Sequence, residues 1–433
     1  MLVAGLSSVT LLSPMPIPAQ QSSKVAALNL AGEWIFEMDG DAQPQRVVLA
    51  FNGDTLRGAV YGQSFVVSLA ANRVQFSVGD FRWRGTVRGD SLVGWLGIAP
   101  DSSRWTGVRF RPPAAPRAFK VDPSTFPRAY SGTTAPVLRI AAGDTVHTTT
   151  LDAGGWGRGA FGARGNKRSP GGNPLTGPFY VEGAVPGDVL VVTLHRVRLN
   201  RDWAFSGTSL VETAIDPSYA TERQTPATPP DNKWTLDTVA LQGRLTAPSP
   251  ALRDFTVPLS PFLGVVATAA STEYAPSSRE SGSYGGNMES ARLREGTTIH
   301  LPVSTMGAQL YLGDGHAAQG SGELTGDAME TSLDVSFTVA IKRWGFAELT
   351  RAEDATDIMS IGVAGSLDAA MRRASSDMAR WLTTDYGLTA SDVALVMGFA
   401  LQFDIPDVVP PGFGVTARIP KAALRTLVRP TRK

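Results

Sequence analysis

The stretch "PFYVEGAVPGDVLVVTLHRVRL", residues 178 to 199, sets two apolar runs on either side of Pro186-Gly187-Asp188. Proline fixes φ, glycine opens left-handed backbone and aspartate can bond its own turn, so these three residues read as a tight turn between two strands. A second stretch repeats the form. "APVLRIAAGDTVHTTTLD", residues 135 to 152, holds Ala142-Gly143-Asp144 between two strand-like runs. In its second run, alternation puts Val146, Thr148, Thr150 and Asp152 on one face and His147, Thr149 and Leu151 on the other. The two stretches are similar strand-turn-strand units, and they predict a mainly β body.

Composition agrees. The 433 residues include 45 glycines and 30 prolines, enough for many turns, and the length suits two or three domains. Forty basic residues against 39 acidic ones leave a formal charge of +1, which disfavours nucleic acid as a partner. Cysteine is absent, which excludes disulfides, thiolate metal sites and cysteine nucleophiles. A metal must then use carboxylates and the four histidines, His147, His195, His300 and His316. No run of 18 apolar residues exists, so no transmembrane helix is predicted.

Residues 1–24 resemble a signal-peptide core with a small-residue exit near Ala19, although a basic start is missing, and they predict an exported protein. Residues 29–111 read as a small antiparallel β barrel or sandwich, loosely lipocalin-like, with Trp34, Trp83, Trp95 and Trp105 as core. A proline-rich linker spans 112–125, and a larger domain follows over 126–427. Within it, residues 206–252 read as an irregular, polar loop. Helical periodicity appears late. Ser366 can cap a helix with Leu367, Ala370, Met371, Ala374, Met378, Trp381 and Leu382 on one face, Gly387 can close it, and Thr389 with Asp392 can open a second.

One segment carries the chemistry. "YLGDGHAAQGSGELTGDAMET", residues 311 to 331, gathers Asp314, His316, Glu323 and Glu330 among glycines. In extended backbone Asp314 and His316 point to one side. His316 is then a ligand or an acid/base group, or else a turn histidine bonded to Asp314. Glu330 reads as solvent-exposed, while His147, His195 and His300 read as non-catalytic.

Three stretches together resemble the acetamidase/formamidase family of small-amide hydrolases. They are "GGNPLTGPFYVEGAVPGDVLVV" (171–192), the run from "PFLGVVATA" through "YGGNMES" to "GDAMET" (261–331), and more weakly "PVLRIAAGDTVHTTTLDA" (136–153). The resemblance covers about 126–427, and departs where Glu289 replaces the usual Asp and Ser321 a frequent one. It implies hydrolysis of a short linear amide to ammonia and carboxylate, by water activated by a carboxylate or by a bound divalent metal such as zinc or calcium. It also implies His316, Glu182, Asp152 and Glu323 as catalytic groups, and Asp314, His316, Asp152 and Glu323 as metal ligands. Asn287, Gly285, Gly286 and Thr176 fall to the substrate, and the assembly to a homo-oligomer, a dimer. The residues themselves leave plainer roles open: a salt bridge for Glu182, a loop cap for Asp152, a turn for Asn287. A binding or scaffold protein whose chemistry has lapsed is the alternative reading.

Overall fold

The computed structural model describes residues 30–427, apart from 41–43, 61–62, 99–100, 164, 224–231, 272, 344 and 346. The signal-like segment therefore lies outside the described residues. The chain divides into two compact units, Met1–Arg111 and Pro112–Lys433.

In the smaller unit, nine strands from Gly32–Met38 to Asp101–Phe110 form one antiparallel meander, and the first strand also pairs with the last. The result is a nearly closed barrel whose free edges are Gln63–Val66 and Ser68–Ala70. Alternation drives it: in Arg73–Val78 the residues Val74, Phe76 and Val78 are buried and Arg73, Gln75 and Ser77 exposed. Trp34, Trp83 and Trp105 pack inside with Phe36, Phe65 and Phe76. Ring centroids of Phe65 and Phe76 lie 4.5 Å apart, and those of Phe36 and Trp105 4.9 Å apart, so rings fill the interior as a core. Trp95 departs from the predicted core role. It is 57% exposed, because its register places it on the outer face between Arg84 and Arg104.

The larger unit is built on a nine-stranded and a six-stranded sheet that share one core. Leu190, Val192, Leu301 and Phe337 come from the former; Phe179, Val181, Leu263, Val266, Leu310 and Leu312 come from the latter. The two similar sequence units have the same structural job. Leu138–Ile140 and Thr145–Thr149 lie in different sheets, as do Leu175–Val181 and Val189–Leu199. Each Gly-Asp turn is thus an arch from one sheet to the other. Gly143 and Gly187 take φ of 92° and 88°, and the carboxylates of Asp144 and Asp188 accept the backbone N–H of Ala141 and Val185 at 2.8 and 3.0 Å.

Two stretches differ from the sequence reading. Ala118–Lys120, inside the proline-rich segment, pairs in parallel with Thr145–Thr149 at the sheet edge. Within the supposedly irregular 206–252, Lys233–Asp237 and Gln242–Leu245 form an antiparallel pair. Polar composition hides that hairpin, since on its first strand only Trp234 and Leu236 turn inward.

The helical pair is as the sequence implies. Leu367–Tyr386 is capped by Ser366, whose hydroxyl accepts the Ala369 N–H, and ends at Gly387 with φ 70°. Ala390–Ala400 opens on a reciprocal Thr389/Asp392 capping box. Ala370, Ala374, Met378, Trp381 and Leu382 are buried, whereas Met371 faces outward. A Cβ on Gly362 would sit 2.2 Å from the Ala370 carbonyl, so this strand glycine lets the longer helix lie close. Among the described residues no helix is long and apolar enough to cross a membrane.

Candidate active site

Strand Leu310–His316 is buried at all seven positions, between Leu175–Val181 and Phe262–Ala267. Its glycines permit that crowding: a Cβ on Gly315 would meet the Thr331 carbonyl at 2.5 Å. His316 ends the strand and forms a backbone bridge with Glu330, which brings the two side chains together. Asp314 reaches the same place from left-handed backbone, φ 54°, rather than from a regular extended strand.

His316 is fully buried, with a different environment at each ring nitrogen. Nδ1 lies 3.0 Å from Gln319 Oε1 and 3.4 Å from Glu289 Oε2. The Gln319 amide is oriented by its other end, where Nε2 donates to the carbonyls of Glu289 and Pro406, both at 2.9 Å. Its oxygen therefore faces the ring, and Nδ1 carries a proton to donate to it. Nε2 is left facing two carboxylates, Glu330 Oε1 at 3.0 Å and Asp314 Oδ1 at 3.5 Å. The Glu330 contact is short but off the direction of a ring N–H bond, so Nε2 has no hydrogen-bond partner.

Charge is unbalanced here. Burial pushes the imidazole pKa down, but Glu330, Asp314 and Glu289 outweigh it and hold it well above the ordinary histidine range. Burial raises Glu330 and Glu323 to about 8, against the pull of His316. Glu289 is raised well above the carboxylate range, by burial first and by Glu323 next. Asp314 stays below its usual value despite burial, because the imidazolium charge favours its ionised form.

A cation fits this arrangement. Glu289 Oε2, Asp314 Oδ1 and His316 Nε2 are buried atoms without hydrogen bonds. Ligand atoms of Glu289, His316 and Glu323, and of Asp314, His316 and Glu330, lie within 4.8 Å of one another in each set. Among the described residues, four of the eight non-glycine residues with positive φ are Asn173, Glu289, Asp314 and Glu323, so backbone strain concentrates where these side chains converge. Beside them is a polar cavity of about 160 Å³, lined by Asn173, Asn287, Arg279 and the carboxylates of Glu289, Asp314, Glu323 and Glu330. Asn173 Nδ2 donates to Asn287 Oδ1 at 2.8 Å and to Asp314 Oδ2 at 3.2 Å. That leaves the Asn287 NH₂ as the donor end.

The structure brings together His316, Asp314 and Glu323, with Asn287 on the cavity wall. Asp152 lies alongside. Its Oδ2 accepts Arg201 Nη2 at 2.6 Å and its Oδ1 the Trp156 N–H at 2.9 Å, while the next residue's N–H donates to Glu330 Oε2 at 3.0 Å. Glu182 does not join the cluster. It is 31% exposed near Arg139 and Arg117, at 3.7 and 3.9 Å, as the salt-bridge reading has it. Thr176 is buried and donates to the Thr149 carbonyl, tying one sheet to the other. Gly285 and Gly286 serve close strand packing, since Cβ atoms there would meet the Val266 and Glu280 carbonyls at 2.3 and 2.4 Å.

Sequence reasoning misses Glu289, Glu330, Asn173 and Gln319. Glu330 is 1% exposed, contrary to the predicted solvent position. Glu289 follows the Gly285-Gly286-Asn287 run and Asn173 follows Gly171-Gly172, and this shared Gly-Gly signal could have marked both. Ser321 is exposed and outside the cavity lining, so the carboxylate missing there is not one of the converging groups. The remaining histidines stand elsewhere: His147 is exposed, His195 bonds Thr338, and His300 approaches Glu353 at 3.3 Å.

Residues 266–425 match the model of the Acetamidase/Formamidase family. A protein of Schizosaccharomyces pombe with a provisional formamidase name is 27% identical over 217 residues, 40% of this chain. The match spans about half, 53%, of that protein's length. The crystal structure of an acetamidase from Yersinia enterocolitica is similar with a TM-score of 0.60 and 25% identity, over 72% of this chain and 94% of that one. An acetamidase structure from Bacillus halodurans gives 0.59 at 24% identity, over 71% and 99%, a likeness of fold.

Proposed function

We propose that the protein, whose residues 266–425 match the acetamidase/formamidase family, hydrolyses the C–N bond of a short linear amide, formamide- or acetamide-like, to ammonia and a carboxylate. The observation that carries this reading is the buried His316, whose Nδ1 is fixed by Gln319 and whose Nε2 faces Glu330 and Asp314 at the edge of a small polar cavity. A cavity of about 160 Å³ suits a substrate of a few heavy atoms and a water.

The chain's own groups supply a path for each proton. A water beside the cluster gives a proton to Glu330, and the hydroxyl oxygen bonds to the amide carbon. The carbonyl oxygen gathers charge and takes a hydrogen bond from Asn287 Nδ2, whose partner oxygen is already held by Asn173. As the C–N bond breaks, the proton passes to the leaving nitrogen and ammonia departs. His316 holds positive charge among the carboxylates and keeps Glu330 and Asp314 in place. Glu289, Asp314, Glu323, Glu330 and, once neutral, His316 through Nε2 would hold, in place of the imidazolium charge, a divalent cation such as zinc or calcium, which when bound polarises the carbonyl and lowers the pKa of water.

The test is ammonia release from formamide, acetamide and propionamide. Removing an acid/base group lowers turnover by about 10²–10⁴, so Glu330→Gln should lose at least a hundredfold, and His316→Ala, which frees the carboxylates that His316 holds in place, should fall comparably, both with the wild-type circular dichroism. Elemental analysis of the purified protein reads the metal. No release above the His316→Ala background, with or without added zinc or calcium, refutes the reading. The lapsed-scaffold alternative takes its motives from Ser321, which is exposed and outside the cavity lining, and from the added N-terminal module; the same ammonia assay decides it. Export and dimerisation belong to the proposal too, and are read by mass spectrometry of the mature N-terminus and by sedimentation.

A further inference from the structure

The formal charge of +1 hides an uneven surface on the smaller unit. Four of its strands turn Val74, Phe76, Trp83, Leu92 and Trp105 inward, so the alternate residues face out. Register aligns Gln75, Arg84, Trp95 and Arg104 as one row across these strands. Arg82 and Arg88 share a strand and a face with Arg84, and Arg73 lies on the neighbouring strand opposite Thr86. All five arginines are exposed. The ion pairs described in this unit use other arginines, Arg46, Arg109 and Arg111. A groove of about 680 Å³ runs over the face, lined by Arg73, Arg84, Arg88 and Trp95 together with Gln75 and Thr86.

This array is unfavourable on its own. Like charges on adjacent strands repel, and an indole exposed by 57% adds nothing to the core. Both costs turn to gain when a polyanion lies in the groove, because arginine forks match carboxylate or sulfate groups and condensed counterions are released. Trp95 offers a flat apolar face between Arg84 and Arg104, while Gln75 and Thr86 offer amide and hydroxyl groups to neutral polar atoms. The concavity suits a linear chain better than a flat bilayer. A lone ring rather than a row of them suits a saccharide better than successive bases, which need one stacking platform each.

We propose that this face binds a linear acidic polysaccharide, with a sugar ring on Trp95 and its carboxylate or sulfate groups held by Arg73, Arg84 and Arg88.

The full-length protein is titrated with polygalacturonate (carboxylate), heparin (sulfate), neutral dextran, oligothymidylate and anionic phospholipid vesicles. One or both acidic polysaccharides should bind, dextran should not, and affinity should fall at least about tenfold between about 50 and 200 mM salt. Trp95→Ala and Arg84→Gln should each weaken binding about tenfold, with circular dichroism unchanged. Arg57→Gln, an exposed arginine on the strand Thr55–Val60, should leave binding as it was. Failure of both acidic polysaccharides to bind overturns the proposal. So does equal or tighter binding of oligothymidylate or vesicles, or binding that neither Trp95→Ala nor Arg84→Gln weakens. Ammonia release plays no part in the readout, so this result stands apart from the proposed hydrolysis.

Discussion

Arg201→Met should destabilise the larger unit more than any other single change beside the cavity. The guanidinium is completely buried, and every one of its nitrogens is engaged. Nε donates to the Trp203 carbonyl at 2.9 Å, Nη1 to the carbonyls of Trp156 and Gly157, both at 3.3 Å, and Nη2 to Asp152 Oδ2 at 2.6 Å and the Glu330 carbonyl at 3.0 Å. Methionine fills much of the volume but leaves a buried carboxylate with one remaining donor, the Trp156 N–H. Breaking a buried pair from one side costs about 3–5 kcal/mol, because the surviving charge has neither water nor partner. At about 2–4 °C per kcal/mol, the melting transition should drop by roughly 6–20 °C. Removing both charges in Arg201→Met/Asp152→Leu should recover at least about 2 kcal/mol of that loss. Thermal unfolding of the wild type, both single variants and the double variant closes the cycle, and elemental analysis of the same samples adds a second readout. If Asp152 acts through Arg201 rather than as a metal ligand, the double variant keeps its metal content. A single-variant loss under about 1 kcal/mol, or a double variant no more stable than Arg201→Met, would refute the reasoning.

Other outcomes follow from single contacts. Gly264→Ala would put a Cβ 2.8 Å from Glu289 Oε2 and 2.9 Å from Asp314 Oδ2, so kcat/KM for acetamide should fall at least about tenfold with little change in melting temperature. Glu353 is held down to about 2, chiefly by its hydrogen bond with His300 and also by Lys421, against burial. Its contribution is complete above the ordinary glutamate value and is lost as pH falls through about 2. Glu353→Gln should therefore cost about 1–2 kcal/mol at neutral pH, an amount discounted for its part-exposed position, and the difference should vanish in acid denaturation near pH 2. Trp105→Ala removes a fully buried ring and should cost the smaller unit's own unfolding transition about 3–5 kcal/mol, read by denaturant titration.

Features set by neighbours in sequence are legible before any coordinates. Ser366, Gly387 and the Thr389/Asp392 pair announce the helices because capping acts over three or four residues. The two Gly-Asp arches are visible for the same reason, although nothing local reveals that each passes between sheets rather than folding into a hairpin. The active-site cluster is only half legible. His316 and Asp314 stand two apart, but Glu289 arrives from just past the end of a different strand, Gly285–Asn287, and Glu330 is turned inward by isolated backbone bridges to Phe205 and His316. Glu182 shows the opposite failure. Its apolar neighbours suggest burial, yet it stands just past the last residue of Leu175–Val181, where Arg139 and Arg117 reach it. Trp95 deceives in the same way, because side-chain chemistry suggests a core residue and only strand register says otherwise.

The left-handed backbone at Glu289, Asp314 and Glu323 has an evolutionary corollary. Each such position is disfavoured for a side-chain-bearing residue by about 1–3 kcal/mol, a penalty that glycine largely escapes. A descendant released from any task at this spot would become sturdier simply by drifting to glycine at the three positions, and drift in that direction meets no thermodynamic barrier. A chain that carries carboxylates at all three is poised against that drift, and replacing any one by glycine should yield a tougher protein with a poorer site.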